Sequence, residues 1–230
     1  MNFINTLAFG IYPYIALTIF LVGSVIRYDR EQYTWKASSS QFLEGKNLRR
    51  GSIAFHIGIL GILVGHFFGL LMPAQVWYAL GVSTAAKQML AMVAGGLFGV
   101  ICFYGLTMLI IRRFTNPRIR ATSSFMDLTI LLLLYAQLIL GLLSIPVSAT
   151  HPEGAEMLKL MNWAQYTVTF RGLAAAEFIA DVHWIYKSHV FLGMTLFVVF
   201  PFSRLVHVWS VPVKYLGRNY QVVRRKPNAR

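Results

Sequence analysis

Five long apolar stretches constrain the fold of this sequence more than any other feature. They cover roughly residues 3–26, 52–72, 88–111, 126–147 and 183–209. Each is about the length that crosses ~30 Å of hydrocarbon as a helix rising ~1.5 Å per residue. Because lipid offers no hydrogen-bond partners, such a segment must satisfy its own backbone, as a helix does. We therefore predict an all-α polytopic membrane protein, a bundle of five transmembrane helices in which residues 1–230 form a single membrane-embedded domain.

The composition excludes most soluble functions. Charged residues make up 13% of the chain, against about 25% in ordinary soluble domains. Its single cysteine, Cys102, supplies no iron–sulfur or zinc framework. The first apolar stretch lacks a basic start and is too long for a cleaved leader, so we expect it to be retained. Catalysis on a bulky soluble substrate would therefore require other subunits.

The basic residues predict the orientation of the bundle. Of 21 Lys and Arg, 17 fall in three segments, residues 27–50, 112–120 and 204–230. The positive-inside rule assigns that side to the cytoplasm. The N-terminus is then outside, the C-terminus is cytoplasmic, and residues from about 210 to 230 form a basic cytoplasmic tail. The net charge of +13 is thus mainly a topology signal, and no nucleic-acid partner is expected.

Histidines inside the apolar stretches are the main chemical signal. His56 and His66 lie in the second stretch, and His189 and His207 in the fifth. Ionisable groups in hydrocarbon are costly and often functional, although a lone histidine is more often structural. Two antiparallel helices would place His56 level with His207 and His66 level with His189. Because two histidines from facing helices can fill the axial positions of a porphyrin iron, we predict two b haems, each with two histidine ligands.

The histidine spacings do not match on straight helices. Ten residues separate the histidines of the second stretch, or about 15 Å, whereas the eighteen in the fifth correspond to about 27 Å. We expect tilt, a bend at Pro201 and side-chain reach to absorb the difference. On a continuous helix, His189 and His207 share one face with Gly193, which would leave space for a flat macrocycle.

Small residues form a stripe along the second stretch, at Gly58, Gly61, Gly65 and Gly69. Close approach of a neighbouring helix explains the stripe better than contact with a haem edge, although both readings remain open.

Several basic residues invite a second assignment. Arg112, Arg113 and Arg204 lie at the cytoplasmic ends of the third and fifth stretches, where they could bind the propionates of the inner haem or simply anchor the bundle. Lys87 is a lone cation at the outer end of the third stretch, close in depth to His66. It could extend to the interface or donate a hydrogen bond to a quinone oxygen.

Three segments carry a family resemblance: IYPYIALTIFLVGSVIRYDREQYTWKASSSQ, AFHIGILGILVGHFFG and FPFSRLVHVWSVPVKYLGRNYQ. They closely resemble the gamma subunit of respiratory membrane-bound nitrate reductase, and the match runs nearly end to end. The resemblance implies a quinol-oxidising di-haem cytochrome b subunit in the cytoplasmic (inner) membrane. Electrons from menaquinol or ubiquinol, oxidised on the outer side, would cross two b haems to an iron–sulfur beta subunit. They would then reach a molybdenum-containing alpha subunit that reduces nitrate, so no residue catalysing nitrate reduction is expected here.

The resemblance also implies residue roles. His66 and His189 would bind the outer haem, and His56 and His207 the inner one. Lys87 and Gly65, together with His66, fall where the family places its quinol pocket. The basic cytoplasmic segments would dock the soluble subunits through the aromatic residues Tyr33, Trp35, Trp209, Tyr215 and Tyr220, of which Trp209 and Tyr215 fit an interfacial aromatic belt equally well.

Two alternatives differ in class. A di-haem cytochrome b of another respiratory oxidoreductase, such as a formate dehydrogenase, a hydrogenase or a heterodisulfide-type complex, would share the haem arrangement. A haem-free transporter or membrane anchor would use intramembrane histidines differently. A proton relay needs acidic partners, yet only Asp127 occurs near the interior of a stretch.

Overall fold

A computed structural model describes residues 3–35 and 45–210, except the side chain of Lys46. Within these residues every regular element is helical. Five helices are long and apolar enough to cross a membrane, and they are called the first to fifth spans: Phe3–Arg30, Asn47–Leu71, Thr84–Thr115, Phe125–Ala149 and Trp184–Phe202. The predicted all-α, five-span architecture is confirmed. The predicted basic tail lies outside the described residues beyond Ser210.

Side chains cap the starts of the third and fourth spans. Ser83 accepts a hydrogen bond from the amide of Ala86 at the start of the third span. At the start of the fourth, Ser124 and Asp127 each accept the other's amide hydrogen, a reciprocal capping box. Short helices occupy the connections: Gln32–Thr34, Ala74–Ala79, Pro117–Ala121, Ala155–Val168 and Gly172–Phe178.

The fifth span differs from the prediction: residues 183 to 209 do not form one continuous helix. Its α-helix ends at Val199, a single 3-10 turn covers Phe200–Phe202, and Ser203 is extended, with φ −116° and ψ 178°. A separate 3-10 segment, Arg204–Ser210, carries His207. Because Pro201 cannot donate a backbone hydrogen bond, the helix is interrupted here, as the expected bend anticipated. The two histidines therefore do not share one continuous helical face.

The spans pack in a row. The second packs on the third, the third on the fourth, the fourth on the fifth, and the fifth on the first. Close approach of the second and third spans depends on glycines: a Cβ at Gly58 would lie 2.5 Å from the amide nitrogen of Cys102, and one at Gly61 would lie 2.3 Å from the ring of Phe98. This half of the glycine stripe serves helix packing, as the preferred reading held.

Replacing Gly58 by alanine should destabilise the bundle. The added methyl group collides with the backbone of the third span, and overpacking of this kind costs about 1–3 kcal/mol. We expect the thermal midpoint of the purified complex in detergent to fall by about 2–10 °C. The matched control is Gly95→Ala, because a Cβ at Gly95 meets no atom within 4 Å. Equal losses in both variants would contradict close packing at Gly58.

Two short helices between the fourth and fifth spans, Ala155–Val168 and Gly172–Phe178, form what we call the connecting hairpin. Its first helix packs against the end of the second span, and its second helix packs along the start of the first. Pro13 has no amide hydrogen, so the carbonyl of Phe9 lacks its usual helical donor. The indole of Trp163 supplies one at 3.0 Å. The indole of Trp163 thus attaches the hairpin to the bundle through the carbonyl of Phe9, which Pro13 leaves without its helical donor.

Candidate functional site

The four intramembrane histidines meet as two pairs. The ring centres of His56 and His207 are 6.3 Å apart, with planes at 69°. Those of His66 and His189 are 6.0 Å apart, with planes at 40°. We call the two levels the His56 end and the His66 end of the bundle. The structure therefore brings together the partners that the sequence paired by depth, and the break at Ser203 is what allows the unequal spacings to match.

Each of the four rings is oriented by a backbone carbonyl. The Nδ1 atoms lie at hydrogen-bond distance from carbonyl oxygens: Ser52 to His56 at 2.7 Å, Ile62 to His66 at 2.9 Å, Gln137 to His189 at 3.2 Å and Arg204 to His207 at 2.6 Å. A carbonyl can only accept, so Nδ1 must carry the hydrogen in each case. This tautomer leaves Nε2 as the unprotonated nitrogen, the arrangement typical of metal-binding histidines. The Nε2 of His189 lies 3.4 Å from the side-chain amide nitrogen of Gln137, which donates to it.

The pair distances fit one metal atom between two imidazoles. An imidazole nitrogen binds a metal at about 2.0 Å and lies about 1.1 Å from its own ring centre, so two trans imidazoles have centres about 6 Å apart. The observed 6.0 and 6.3 Å agree. Within residues 3–35 and 45–210, no group of three His, Cys, Asp or Glu could hold a metal ion. The donor set thus suits a metal whose other ligands come from a macrocycle.

Space beside the His66 end comes from the other half of the glycine stripe. A Cβ at Gly65 or Gly69 would meet nothing within 4 Å. By contrast, a Cβ at Gly193 would lie 3.2 Å from the amide nitrogen of Gln137. The expectation that Gly193 leaves room for a macrocycle is therefore wrong, since the Gln137 side chain of the fourth span fills that position.

Lys87 is buried, with 4% of its surface exposed, so it does not extend to the interface. Its ammonium group donates to the carbonyl of Gly69 at 2.7 Å, contacts the sulfur of Met161 and lies 5.2 Å from the ring centre of Trp77. Gly69 is three residues beyond His66, or about 4.5 Å along the helix axis. Lys87 therefore caps the last turn of the second span at the edge of the His66–His189 pair.

The three arginines predicted as possible propionate ligands differ in their surroundings. Arg113 and Arg204 share the carboxylate of Asp127, at 3.8 Å and 2.7 Å respectively, whereas Arg112 is buried, with 5% of its surface exposed. Arg204 also provides the carbonyl that accepts from His207. Arg204 therefore joins the fourth span to the segment that carries His207.

Sequence reasoning missed two residues that orient the pairs. Asp127 was noticed only as an acid near a span interior, without its arginine partners. The side-chain amide of Gln137 donates to the backbone oxygen of His189 at 3.0 Å and lies 3.4 Å from its Nε2, and the backbone carbonyl of Gln137 accepts from its Nδ1. An amide side chain in the middle of an apolar span was the available signal for Gln137.

The remaining histidines have local roles only. His183 accepts the amide hydrogen of Ile185 at the start of the fifth span, and His151 bonds within its own loop to Thr150. Both are exposed, in agreement with the absence of a predicted ligand role.

Fold and site together define a class: helical membrane proteins that span the bilayer several times and hold two facing histidine pairs, both between the second span and the part of the chain formed by the fifth span and the segment that follows it. The family model described as "Nitrate reductase gamma subunit" matches residues 5–226. The chain belongs to the nitrate reductase gamma subunit family. It is accordingly a multi-pass membrane subunit of an oxidoreductase complex, and it belongs to the electron transport of nitrate respiration.

Relatives match along nearly the whole chain. The respiratory nitrate reductase 1 gamma chain of Escherichia coli (strain K12) is 53% identical over 226 residues, covering 98% of this chain and 100% of the relative. The nitrate reductase 2 gamma chain of the same organism is 50% identical, with 98% and 99% coverage. The nitrate reductase gamma chain of Bacillus subtilis (strain 168) is 38% identical, with 94% and 96% coverage.

Proposed function

We propose that this chain is the quinol-oxidising di-haem cytochrome b subunit of a respiratory nitrate reductase. His66 and His189 bind the outer haem, and His56 and His207 the inner one. Each haem iron, when bound, supplies one-electron redox chemistry that links quinol outside to an iron–sulfur beta subunit and a molybdenum-containing alpha subunit inside. Nitrate reduction itself then lies on the alpha subunit. Membership of the gamma subunit family supports nitrate reductase over formate dehydrogenase, hydrogenase or a heterodisulfide-type complex.

The observation that carries the proposal is the repeated geometry of the pairs. Ring centres lie at 6.0 and 6.3 Å, and all four Nδ1 atoms bond to carbonyls. A transporter using its histidines as a proton relay has no need for matched facing pairs with the same tautomer. The pattern is the one expected where two imidazoles bind opposite faces of a metal.

Residues at the His66 end would bind the quinol. The ammonium group of Lys87 can donate to a quinone oxygen, and the open surface at Gly65 lets a ring approach His66. Because the Nδ1 hydrogen of His66 is donated to the carbonyl of Ile62, a quinol oxygen that displaced this carbonyl would accept a hydrogen bond from the same ring whose Nε2 would hold the iron. Protons released here leave on the outer side.

Basic groups at the His56 end would serve the opposite side of the membrane. Buried Arg112 and the Asp127-bound pair, Arg113 and Arg204, lie where propionates of an inner haem would be neutralised. The positive-inside rule makes this end cytoplasmic in the inner membrane, with the N-terminus outside. Exposed Trp209 and the basic segments would then face the soluble partners and membrane lipids. Tyr215 and Tyr220 lie outside the described residues.

A reduced-minus-oxidised optical spectrum of the purified complex tests the proposal directly. We expect b-type haem bands, and extraction of the porphyrin from this chain should give about two haems per chain. A ratio near one, or no haem bands, would contradict the assignment of two histidine pairs. The accompanying control is a variant in which all four histidines are replaced, and this variant should lose the bands.

Replacing Asp127 by asparagine should disturb the inner pair. Arg204 loses its ion pair and with it the restraint on the segment that carries His207. We expect about tenfold weaker retention of the inner haem and a shift in the low-spin EPR g-values of that haem alone. The control is Asp29→Asn, because the Asp29 ion pair with Arg30 is exposed and distant in sequence. Unchanged g-values in the Asp127 variant would limit this residue to a role in bundle stability.

A further inference from the structure

The tip of the connecting hairpin exposes a patch of apolar side chains. Phe170 is 85% exposed, Leu173 65% and Val168 51%. The rest of the hairpin is well packed, since Trp163 and Ala176 belong to the core that joins it to the first span. Exposure of this size at the end of an otherwise buried unit indicates a contact with something outside the described residues.

Depth along the first span shows where the tip lies. The ring of Phe170 stacks on that of Tyr14, with centres 6.1 Å apart, and the Tyr14 hydroxyl donates to the carbonyl of Thr167 at 3.1 Å. Tyr14 is eleven positions after the start of the span at Phe3 and thirteen before Arg27. Those intervals correspond to about 16 and 20 Å of helix. In a hydrocarbon core of ~30 Å bounded by Arg27, the tip lies about 10 Å inside the opposite edge.

Contacts with the second span give the same depth independently. Gln165 donates to the carbonyls of Leu70 and Met72 at the end of that span. The hairpin then continues for five residues, about 7 Å, to Phe170. Leu70 lies four residues, about 6 Å, beyond His66, so a tip that continues inward by a similar distance reaches the level of the outer histidine pair.

The charged neighbour of the tip, Arg171, is exposed within this chain but has two local partners. The guanidinium of Arg171 lies 3.8 Å from the ring centre of Tyr166, and its Nε donates to the hydroxyl of Thr169. A cation over an aromatic face with a local acceptor is far less costly in a poorly hydrated setting than a bare one. The backbone of Phe170 is left-handed, with φ 60°. A phenylalanine at such a strained position points to a use for its side chain.

We propose that the connecting hairpin is re-entrant, and that the patch of Val168, Phe170 and Leu173 contacts lipid acyl chains of the leaflet at the His66 end. The hairpin enters between the first and second spans, turns at Phe170 and returns to the same surface. Its tip thereby forms part of the lipid-facing wall beside the outer histidine pair. A second copy of this chain or another protein seated on the patch is the competing occupant.

Photo-crosslinking from position 170 tests the proposal in native membranes. A benzophenone amino acid replaces Phe170 in the full complex, and the cells are grown on a radioactive fatty acid, because benzophenone inserts into C–H bonds of whatever it touches. After irradiation, this chain is separated on a denaturing gel. Position 93 is the depth-matched reference, since Val93 is 64% exposed on the third span, and position 153 in the exposed loop is the aqueous reference.

We expect radioactive lipid on the position-170 chain at a yield within about twofold of position 93 and at least about fivefold above position 153. A yield equal to that at position 153 would place the tip in water and overturn the proposal. A crosslink to a second copy or to another protein would overturn it as well. The haem spectrum of each variant, checked beforehand, ensures that the complexes compared are correctly assembled.

Discussion

Replacing His66 by alanine is expected to leave a complex with about one haem in this chain in place of about two. His189→Ala should remove the same haem, because one iron needs both rings, and the remaining spectrum should be that of the inner haem. Loss of a group that only supports a ligand costs about 10- to 100-fold in activity, so losing the ligand itself should lower quinol-dependent nitrate reduction by more than ~100-fold.

The complementary variants make this result diagnostic. His56→Ala and His207→Ala should retain the outer haem and lose the inner one, giving a second, different spectrum shared by those two proteins. His151→Ala is the matched control, because the His151 side chain is exposed and bonds only to its near neighbours Thr150 and Val147 in the described hydrogen bonds, and it should keep both haems. The pairing is refuted if His66→Ala and His56→Ala remove the same haem.

Replacing Lys87 by alanine is expected to lower kcat/KM for quinol by about 10- to 100-fold, the range for losing a hydrogen bond from a charged donor. Both haems should remain, since Lys87 contacts none of the four histidines in the described hydrogen bonds. The measurement is a quinol titration of nitrate reduction, accompanied by the haem spectrum.

Capping of the second span is the other explanation for an effect at Lys87. Gln165→Ala separates the two, because Gln165 also bonds to the last carbonyls of that span, at Leu70 and Met72. We expect Gln165→Ala to lower the thermal midpoint while keeping kcat/KM for quinol within about twofold. Similar kinetic losses in both variants would mean that Lys87 acts only as a cap.

Much of the bundle could be predicted because lipid imposes a strong rule. A backbone in hydrocarbon must bond to itself, so apolar length alone identifies the spans. The pairing of His56 with His207 and of His66 with His189 followed from antiparallel helices of similar depth. These steps use only distances along the chain, which sequence supplies directly.

Details that depend on contacts between distant residues could not be predicted. Pro201 signalled a bend, but the extended residue at Ser203 and the 3-10 segment after it depend on how the chain meets the first span, where Arg27 donates to the carbonyls of Pro201 and Ser203. Gly193 was assigned an open face because Gln137, fifty-six positions away, could not be placed opposite it. For the same reason, the sequence alone left open whether Lys87 extends to the interface.

The connecting hairpin shows the same limit from another side. Its helices are too short to be recognised as membrane segments by apolar length. Its position depends on contacts between distant residues, among them the freed carbonyl of Phe9 and Trp163, a pair that no spacing rule links.

The row of spans has a consequence for biogenesis. The second span packs chiefly on the third, and it meets the fifth mainly through the histidine rings. Under the proposed function, the bound haems hold these two spans together. In a cell starved of porphyrin, the second span of a newly made chain would not be held against the fifth, and membrane proteases could cleave it. Haem binding would therefore act as a maturation checkpoint before the catalytic partners attach.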